Sequence, residues 1–131
     1  MKILVYIQQN QGKVSPISLE ALTGAQKIAA KTGGSVTAVT FNSKVGEELT
    51  AYDLAEILVV EDENLNIYNS LHFVKAMKEV VKAESPNFIV FGHSYEARDW
   101  VPRLSARLDI PFLSDCSDYK TDNHLTFVRT I

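Results

Sequence analysis

The residues best suited to binding a ligand lie in the segment Gly92–Asp99, which follows a predicted strand and leads into a predicted helix. In open α/β sheets, ligands bind in the crevice beyond the carboxyl ends of the strands. Gly92 would let the chain turn sharply, Ser94 can cap the helix, and free amides at a helix start favour an anion. Such turns occur in every doubly wound protein, so Gly92, His93, Ser94 and Arg98 are candidates for a crevice ligand and nothing more.

Signatures of nucleotide binding, metal binding and catalysis are missing from the sequence. The segment Gly12–Ser15 lacks the upstream glycine and the adjacent Lys–Ser/Thr pair of a phosphate loop, and no Gly-x-Gly-x-x-Gly follows the first strand. Cys116 lacks a local nucleophile signature, and Asp115 and Asp118 are typical of turn residues. The histidines have no cysteine or carboxylate at ligand spacing: His72, His93 and His124. We therefore predict no metal site and no catalytic residue.

Composition and charge exclude several classes of protein. The 131 residues suit one domain, with 46% hydrophobic and 22% charged residues. A formal net charge of −3 without a dominant basic cluster disfavours nucleic-acid binding. A single cysteine excludes an internal disulfide, and no apolar run approaches the ~20 residues of a membrane span. We expect the protein in the cytoplasm of a bacterium or, second, in a mitochondrial matrix.

Apolar runs alternate with segments of helical period. The runs predict strands near residues 3–7, 35–41, 57–60, 88–91, 111–114 and 125–128. The intervening segments predict a helix from Ser15-Pro16 to Gly33-Gly34, a short one at 47–52, one at 67–83, and one carrying Ala97 to Leu108. Repeated strand–helix–strand units predict an α/β fold: a three-layer, doubly wound, mainly parallel, Rossmann-like sheet in a single domain over residues 1–131.

The same periodicity predicts which faces of the helices are buried. In the first helix, Ser15 is expected to cap, and one stripe is expected to face the sheet: Ile17, Ala21, Gly24 and Ile28. In the last helix, Val101, Leu104 and Leu108 are expected to face the sheet, although Pro102 interrupts the hydrogen bonding there. Its outer side would then carry Asp99, Arg103 and Arg107, which are candidates for a subunit or domain interface.

A lysine-rich face lies on the predicted helix at 67–83. Lys75, Lys78 and Lys82 fall opposite its apolar residues. Such a face can dock an acidic partner, but a solvated surface is the commoner explanation for it.

Read with the residues that follow it, the segment Gly92–Leu108 resembles the amino-terminal domain of the electron-transfer flavoprotein α subunit. The family pattern there is Gly-x-Ser/Thr-x-x-Gly-Arg-Asp-x-x-Pro-Arg-x-Ala-x-Arg-Leu. Further matches are Gly12–Pro16, Tyr68, Ile110–Asp115 and Phe127–Arg129. Two residues depart from the pattern. Ala97 replaces the usual glycine, which disfavours a backbone conformation with positive φ at this position, and Thr130 replaces a proline.

The resemblance implies a role for the whole protein. Family members form a heterodimer of α and β subunits that carries electrons from flavin dehydrogenases, such as acyl-CoA dehydrogenases, towards the respiratory chain. Their FAD is held mainly by a carboxyl-terminal domain of the α subunit, on residues that are absent here. The chain is thus expected to be a fragment that lacks this domain, to bind no cofactor itself, and to serve as a scaffold against the β subunit.

Two other functions remain as alternatives. One is a stand-alone nucleotide-binding protein of the universal-stress type, although its Gly-x-x-Gly and Gly-Ser phosphate loop are not found. The other is an adenylating enzyme of the same superfold, whose Ser-Gly-Gly-x-Asp-Ser loop is replaced by Gln8–Gly12.

Overall fold

The structure is a computed structural model that describes residues 1–111 in full and the backbone of two strands, at 116–120 and 126–129. Its strands are β1 Lys2–Ile7, β2 Gln9–Asn10, β3 Lys13–Val14, β4 Ser35–Thr40, β5 Glu56–Val59, β6 Phe88–Phe91, β7 Cys116–Lys120 and β8 Thr126–Arg129. Its α-helices are α1 Pro16–Thr32, α2 Ser43–Glu48, α3 Ser70–Glu84 and α4 Tyr95–Leu108. Two 3₁₀ turns, Leu49–Ala51 and Glu63–Leu65, complete the described elements.

Four parallel strands form the central sheet in the order β5-β4-β1-β6. β1 lies between β4 and β6, with Lys2 opposite Ser35 and Ile3 opposite Phe88. After β1 the chain moves outwards through β4 and β5, then crosses back to place β6 on the other side of β1. The strand order therefore reverses between β1 and β6, and such a reversal opens the crevice used by ligands in this fold class.

The sheet is covered by helices on both faces, as the sequence predicts. Alternate side chains of β1 enter two separate cores because successive residues of a strand point to opposite faces. Ile3, Val5 and Ile7 pack with α1 and α2, whereas Leu4 and Tyr6 pack with α3 and α4. The α/β class, the three layers and the parallel sheet are confirmed.

The buried side of α1 differs in part from the one that the periodicity indicated. Ile28 of the predicted stripe is buried and Ala21 packs half-buried against the core, but Ile17 and Gly24 are not among the buried residues of the helix: Ser18, Leu22, Ala25, Ile28 and Ala29. Many residues of α1 are small, so the apolar pattern alone does not fix which side of the helix faces the sheet. The hydrogen bond from the Gln8 amide to the Ser18 hydroxyl, at 2.9 Å, helps to set the rotation of α1. Ser15 occupies the cap position and Pro16 begins the helix, as predicted, but the Ser15 side chain makes no capping hydrogen bond, so that part of the prediction is wrong.

The stripe predicted for α4 is confirmed, since Leu104 is buried and Val101 and Leu108 pack half-buried against the same core. The prediction missed Trp100, which is fully buried. Pro102 lies inside the helix, and Ala97 occupies an ordinary helical position without positive φ.

The last part of the chain differs from the sequence prediction. Pro111 is outside any strand and residues 112–115 lie outside the described part, so the strand expected at 111–114 is not assigned. β8 confirms most of the strand expected at 125–128. It pairs antiparallel with β7, which the sequence did not predict because β7 is polar. Asp118 lies within β7, so its interpretation as a turn residue is wrong, whereas Asp115 is outside the described residues.

Candidate functional site

The candidate site lies where β1 and β6 end side by side. The loop after β1 begins at Gln8, and the loop after β6 contains Gly92, His93 and Ser94. This is the reversal point of the strand order, so a ligand of the fold class would enter here.

Gly92 is held against the first turn of α1. A Cβ atom added at Gly92 would lie 2.9 Å from the Ile17 carbonyl oxygen and 3.0 Å from its carbonyl carbon. Gly92 is not among the residues with positive φ within residues 1–111, so it is not a left-handed turn that requires glycine here. Its small size lets the two backbones touch, and this contact narrows the crevice from one side.

Ser94 joins the two loops across the crevice. Its hydroxyl accepts a hydrogen bond from the Ala97 amide at 3.1 Å and caps α4, as predicted. The same hydroxyl donates to the Gln8 side-chain oxygen at 2.7 Å. The Gln8 backbone carbonyl accepts from the Ser15 amide at 2.9 Å, which ties the loop back onto the start of α1. The chain's own polar groups therefore occupy the position that a ligand would need.

The structure does not bring the four candidate ligand residues together. Gly92 packs against Ile17 and Ser94 is bonded to Gln8, whereas His93 and Arg98 are exposed residues. The sequence missed Gln8, whose role depends on a partner 86 residues away.

Beneath the crevice lies a cluster of aromatic rings around Trp100. Trp100 meets Tyr6 at 5.1 Å between centroids, Phe91 at 5.3 Å and Phe73 at 5.6 Å, each close to edge-on. Such tilted contacts are favourable because the positive ring edge meets the negative ring face. The Trp100 Nε1 has no hydrogen-bond partner among the described residues, so it is a buried donor left unsatisfied beside the packed rings.

Ionisable groups next to the cluster are shifted towards their neutral forms. Burial raises the pKa of Tyr6, and the neighbouring Glu96 carboxylate raises it further. Burial also raises the pKa of Glu96. In the part of the chain that the structure describes, no group of His, Cys, Asp or Glu is arranged to hold a metal.

The outer side of α4 carries the three interface candidates, and all three are exposed. The Tyr68 hydroxyl donates to the Asp99 carboxylate at 2.5 Å, and burial together with this bond raises the pKa of Tyr68. Arg103 lies one turn on, with its Nη2 3.6 Å from the same carboxylate and its Nε donating to the Asp99 carbonyl at 3.3 Å. Asp99 is therefore engaged within the domain, while Arg107 is exposed and forms no ion pair among the described residues.

A groove of about 200 Å³ separates α3 from α4 beside these residues. Its lining combines apolar and cationic side chains: Leu71, Val74, Arg103, Ala106 and Arg107. A second cavity of about 360 Å³ follows β4 and β5 and is lined by acidic and amide side chains around Glu61–Glu63. Asn42 and Asp62 in that lining already cap short helices.

Comparison with known proteins adds a family relationship. A model of the electron transfer flavoprotein domain matches residues 3–131. The chain is 28% identical to the electron transfer flavoprotein subunit alpha of Thermoanaerobacterium thermosaccharolyticum, over 98% of the chain and 40% of that protein. The Bacillus subtilis protein of the same name is also 28% identical, over 99% of the chain and 41% of its own length. The acryloyl-CoA reductase electron transfer subunit beta of Anaerotignum propionicum is 27% identical, over 98% of the chain and 36% of that protein. The chain thus spans about 40% of the length of the first two of these relatives.

Among the described helices, none has the length and apolar character needed to cross a membrane.

Proposed function

The chain belongs to the electron transfer flavoprotein family, and from this membership we propose that it is the amino-terminal α/β domain of an α subunit. The whole protein would carry electrons from flavin dehydrogenases, such as acyl-CoA dehydrogenases, to the respiratory chain. The observation that carries this proposal is the family match over residues 3–131, with α subunits among its relatives. The same match favours this function over a nucleotide-binding protein of the universal-stress type.

Within that protein the domain would be a scaffold without a catalytic site, and FAD would be bound mainly by another domain of the α subunit. The crevice geometry supports this division. A flavin at the β1–β6 crevice would have to break the bond between Gln8 and Ser94, and Gly92 leaves no room for even a methyl group against α1. The residues at this crevice do not fit a flavin.

The scaffold role needs a surface for the β subunit or for another domain, and we assign it to the outer side of α4. An exposed ion pair such as Asp99–Arg103, with its 3.6 Å separation, contributes at most ~0.5 kcal/mol by itself. The same charges contribute several times more once a partner excludes water. The Tyr68–Asp99 bond holds the carboxylate in place before a partner arrives, which reduces the entropy lost on binding.

The carrier would act in the cytoplasm of a bacterium, or alternatively in a mitochondrial matrix. The bacterial relatives and the single cysteine support a reducing compartment.

The function is tested with the assembled flavoprotein, purified with its β subunit and FAD. Mixed with an acyl-CoA dehydrogenase and its substrate, the flavin should lose its oxidised absorbance. A flavin that stays oxidised with several such dehydrogenases would overturn the proposed role.

The interface role is tested by Arg103→Ala in the same assembly, with Lys27→Ala on α1 as the control on the opposite side of the sheet. We expect Arg103→Ala to weaken subunit association and to leave the flavin reduction potential unchanged. A shifted potential with intact association would mean that α4 tunes the flavin, and the scaffold role would be wrong.

A further inference from the structure

One surface of the molecule combines an exposed apolar side chain with unneutralised positive charge. Leu71, in the first turn of α3, is 59% exposed and forms one wall of the groove between α3 and α4. Lys75, Lys78 and Lys82 follow it at spacings of four, seven and eleven residues, so all four side chains share one face of the helix. Val74 and Ala106 also line the groove.

The cations of this face have no internal partners. Within the described part of the chain, no carboxylate forms an ion pair with Lys75, Lys78, Lys82 or Arg107. Of the acids on the two helices, Glu84 pairs with Lys2 at 2.8 Å and Asp99 accepts from Tyr68. Glu79, which lies among the lysines of α3, and Glu96 form no ion pair with these cations among the described residues. A protein with a net charge of −3 therefore concentrates positive charge around one apolar groove.

We propose that this groove, defined as the α3–α4 groove, binds an acidic segment of a partner protein that inserts one apolar side chain between Leu71 and Ala106. The inference rests on the interface role proposed for α4 and deepens it by naming the chemistry of the partner. Carboxylates of the segment would meet Arg107 and the lysines of α3, and the inserted side chain would remove Leu71 from water. Complementary charge would steer the encounter, and the apolar contact would slow dissociation.

Two other occupants fit the surface less well. A nucleic acid would use the cations but gains nothing from the apolar lining of the groove. An anionic membrane would require a broad apolar stripe that enters the bilayer. A concave groove with a single protruding leucine suits a side chain, not a lipid surface.

The proposal is tested on the full chain with a synthetic peptide of glutamates that carries one central leucine. Backbone amide shifts in nuclear magnetic resonance spectra locate the binding, and a titration gives its affinity. We expect shifts confined to α3 and α4, and weaker binding when the salt concentration is raised about tenfold, because salt screens exposed charges. A peptide with alanine in place of leucine, and a lysine peptide with the same central leucine, should bind more weakly.

Three variants of the protein localise the effect. Arg107→Glu and Lys78→Glu should each weaken peptide binding by about fivefold. Leu71→Ala should weaken it without affecting the fold, since Leu71 is exposed. Lys27→Glu makes the same charge change at an exposed residue of α1, on the opposite face of the sheet, and should leave the affinity for the peptide unchanged. Thermal unfolding of each variant confirms that the chain remains folded.

Several results would overturn the proposal. One is peptide binding that Lys27→Glu weakens as much as Arg107→Glu does, because the charge effect would then be unspecific. Binding of phosphatidylglycerol vesicles in preference to the peptide would assign the face to a membrane. Concentration-dependent dimerisation that Leu71→Ala abolishes would assign the groove to a second copy of the chain. If Arg103→Ala weakens subunit association while the peptide leaves α3 and α4 unshifted, the interface role stands and the acidic-segment proposal falls.

Discussion

Replacing Gly92 by alanine should destabilise the protein, whereas the same replacement at Gly24 should stabilise it. The added methyl group at Gly92 would lie 2.9 Å from the Ile17 carbonyl oxygen, a backbone atom that cannot rotate away. At Gly24, within α1, an added methyl group meets nothing within 4 Å. The two variants add the same atoms to the chain, so their difference reports the contact between Gly92 and α1.

The magnitudes follow from the surroundings. Forcing a methyl group into a filled space costs ~1–3 kcal/mol. Alanine also restricts the unfolded chain, which returns ~0.4–1 kcal/mol where the backbone angles permit it. We expect a net loss of about 1–2 kcal/mol for Gly92→Ala. Gly24→Ala should gain ~0.5–1 kcal/mol, since glycine is the poorer helix former.

Urea unfolding followed by tryptophan fluorescence measures both free energies. Trp100 is the single tryptophan and is fully buried among aromatic rings, so its emission shifts when the domain unfolds. The dependence of the free energy on urea should be equal in both variants, because the surface exposed on unfolding is the same. If Gly92→Ala is as stable as Gly24→Ala, the two backbones are not in contact there and the crevice is more open than described.

Three further predictions use the same protein. Ser94→Ala should lower stability by about 1 kcal/mol in urea unfolding because the hydroxyl caps α4, and Ser15→Ala, which loses no capping bond, should lower it less. Tyr68→Phe should cost up to ~1 kcal/mol at neutral pH. The folded-state pKa of Tyr68 is raised, so the contribution of its hydroxyl to the free energy of unfolding is complete below the unfolded pKa of ~10 and is lost as the pH rises from there through the folded pKa. In unfolding series at increasing alkaline pH, the difference in stability between wild type and Tyr68→Phe should therefore narrow. FAD added to the 131-residue chain should keep its free fluorescence, and 1:1 quenching at micromolar concentration would show that the bond between Gln8 and Ser94 yields to a ligand.

The central sheet was predictable because its strands are short apolar runs, whose side chains enter the cores on both faces of the sheet. Residues 3–7, for example, are all buried, and a run of this length fits a strand that is covered on both faces. The rotation of α1 was not predictable, because alanine, glycine and serine bury at low cost on any side. In the hairpin of β7 and β8, only β8 was predicted. β7 was missed because its sequence is polar and it becomes a strand by pairing with β8.

For the candidate site, local chemistry was predictable and distant contacts were not. Ser94 as a cap follows from its position before a helix, and the structure confirms it. Its bond to Gln8 joins residues 86 positions apart, and no sequence period encodes such a pair. The Ile17 contact that explains Gly92 is hidden for the same reason.

The burial of Trp100 decides where the charges of α4 lie. Trp100 and Leu104 are buried in the core that α4 shares with α3 and the sheet, and Val101 and Leu108 pack half-buried against it. With that face of α4 turned inwards, Arg103 and Arg107 line the α3–α4 groove. Pro102 deprives the Arg98 carbonyl of its helical donor, and Arg98 is an exposed residue. The aromatic core therefore sets the direction of the surface charges, and a substitution at Trp100 should disturb the groove as well as the core.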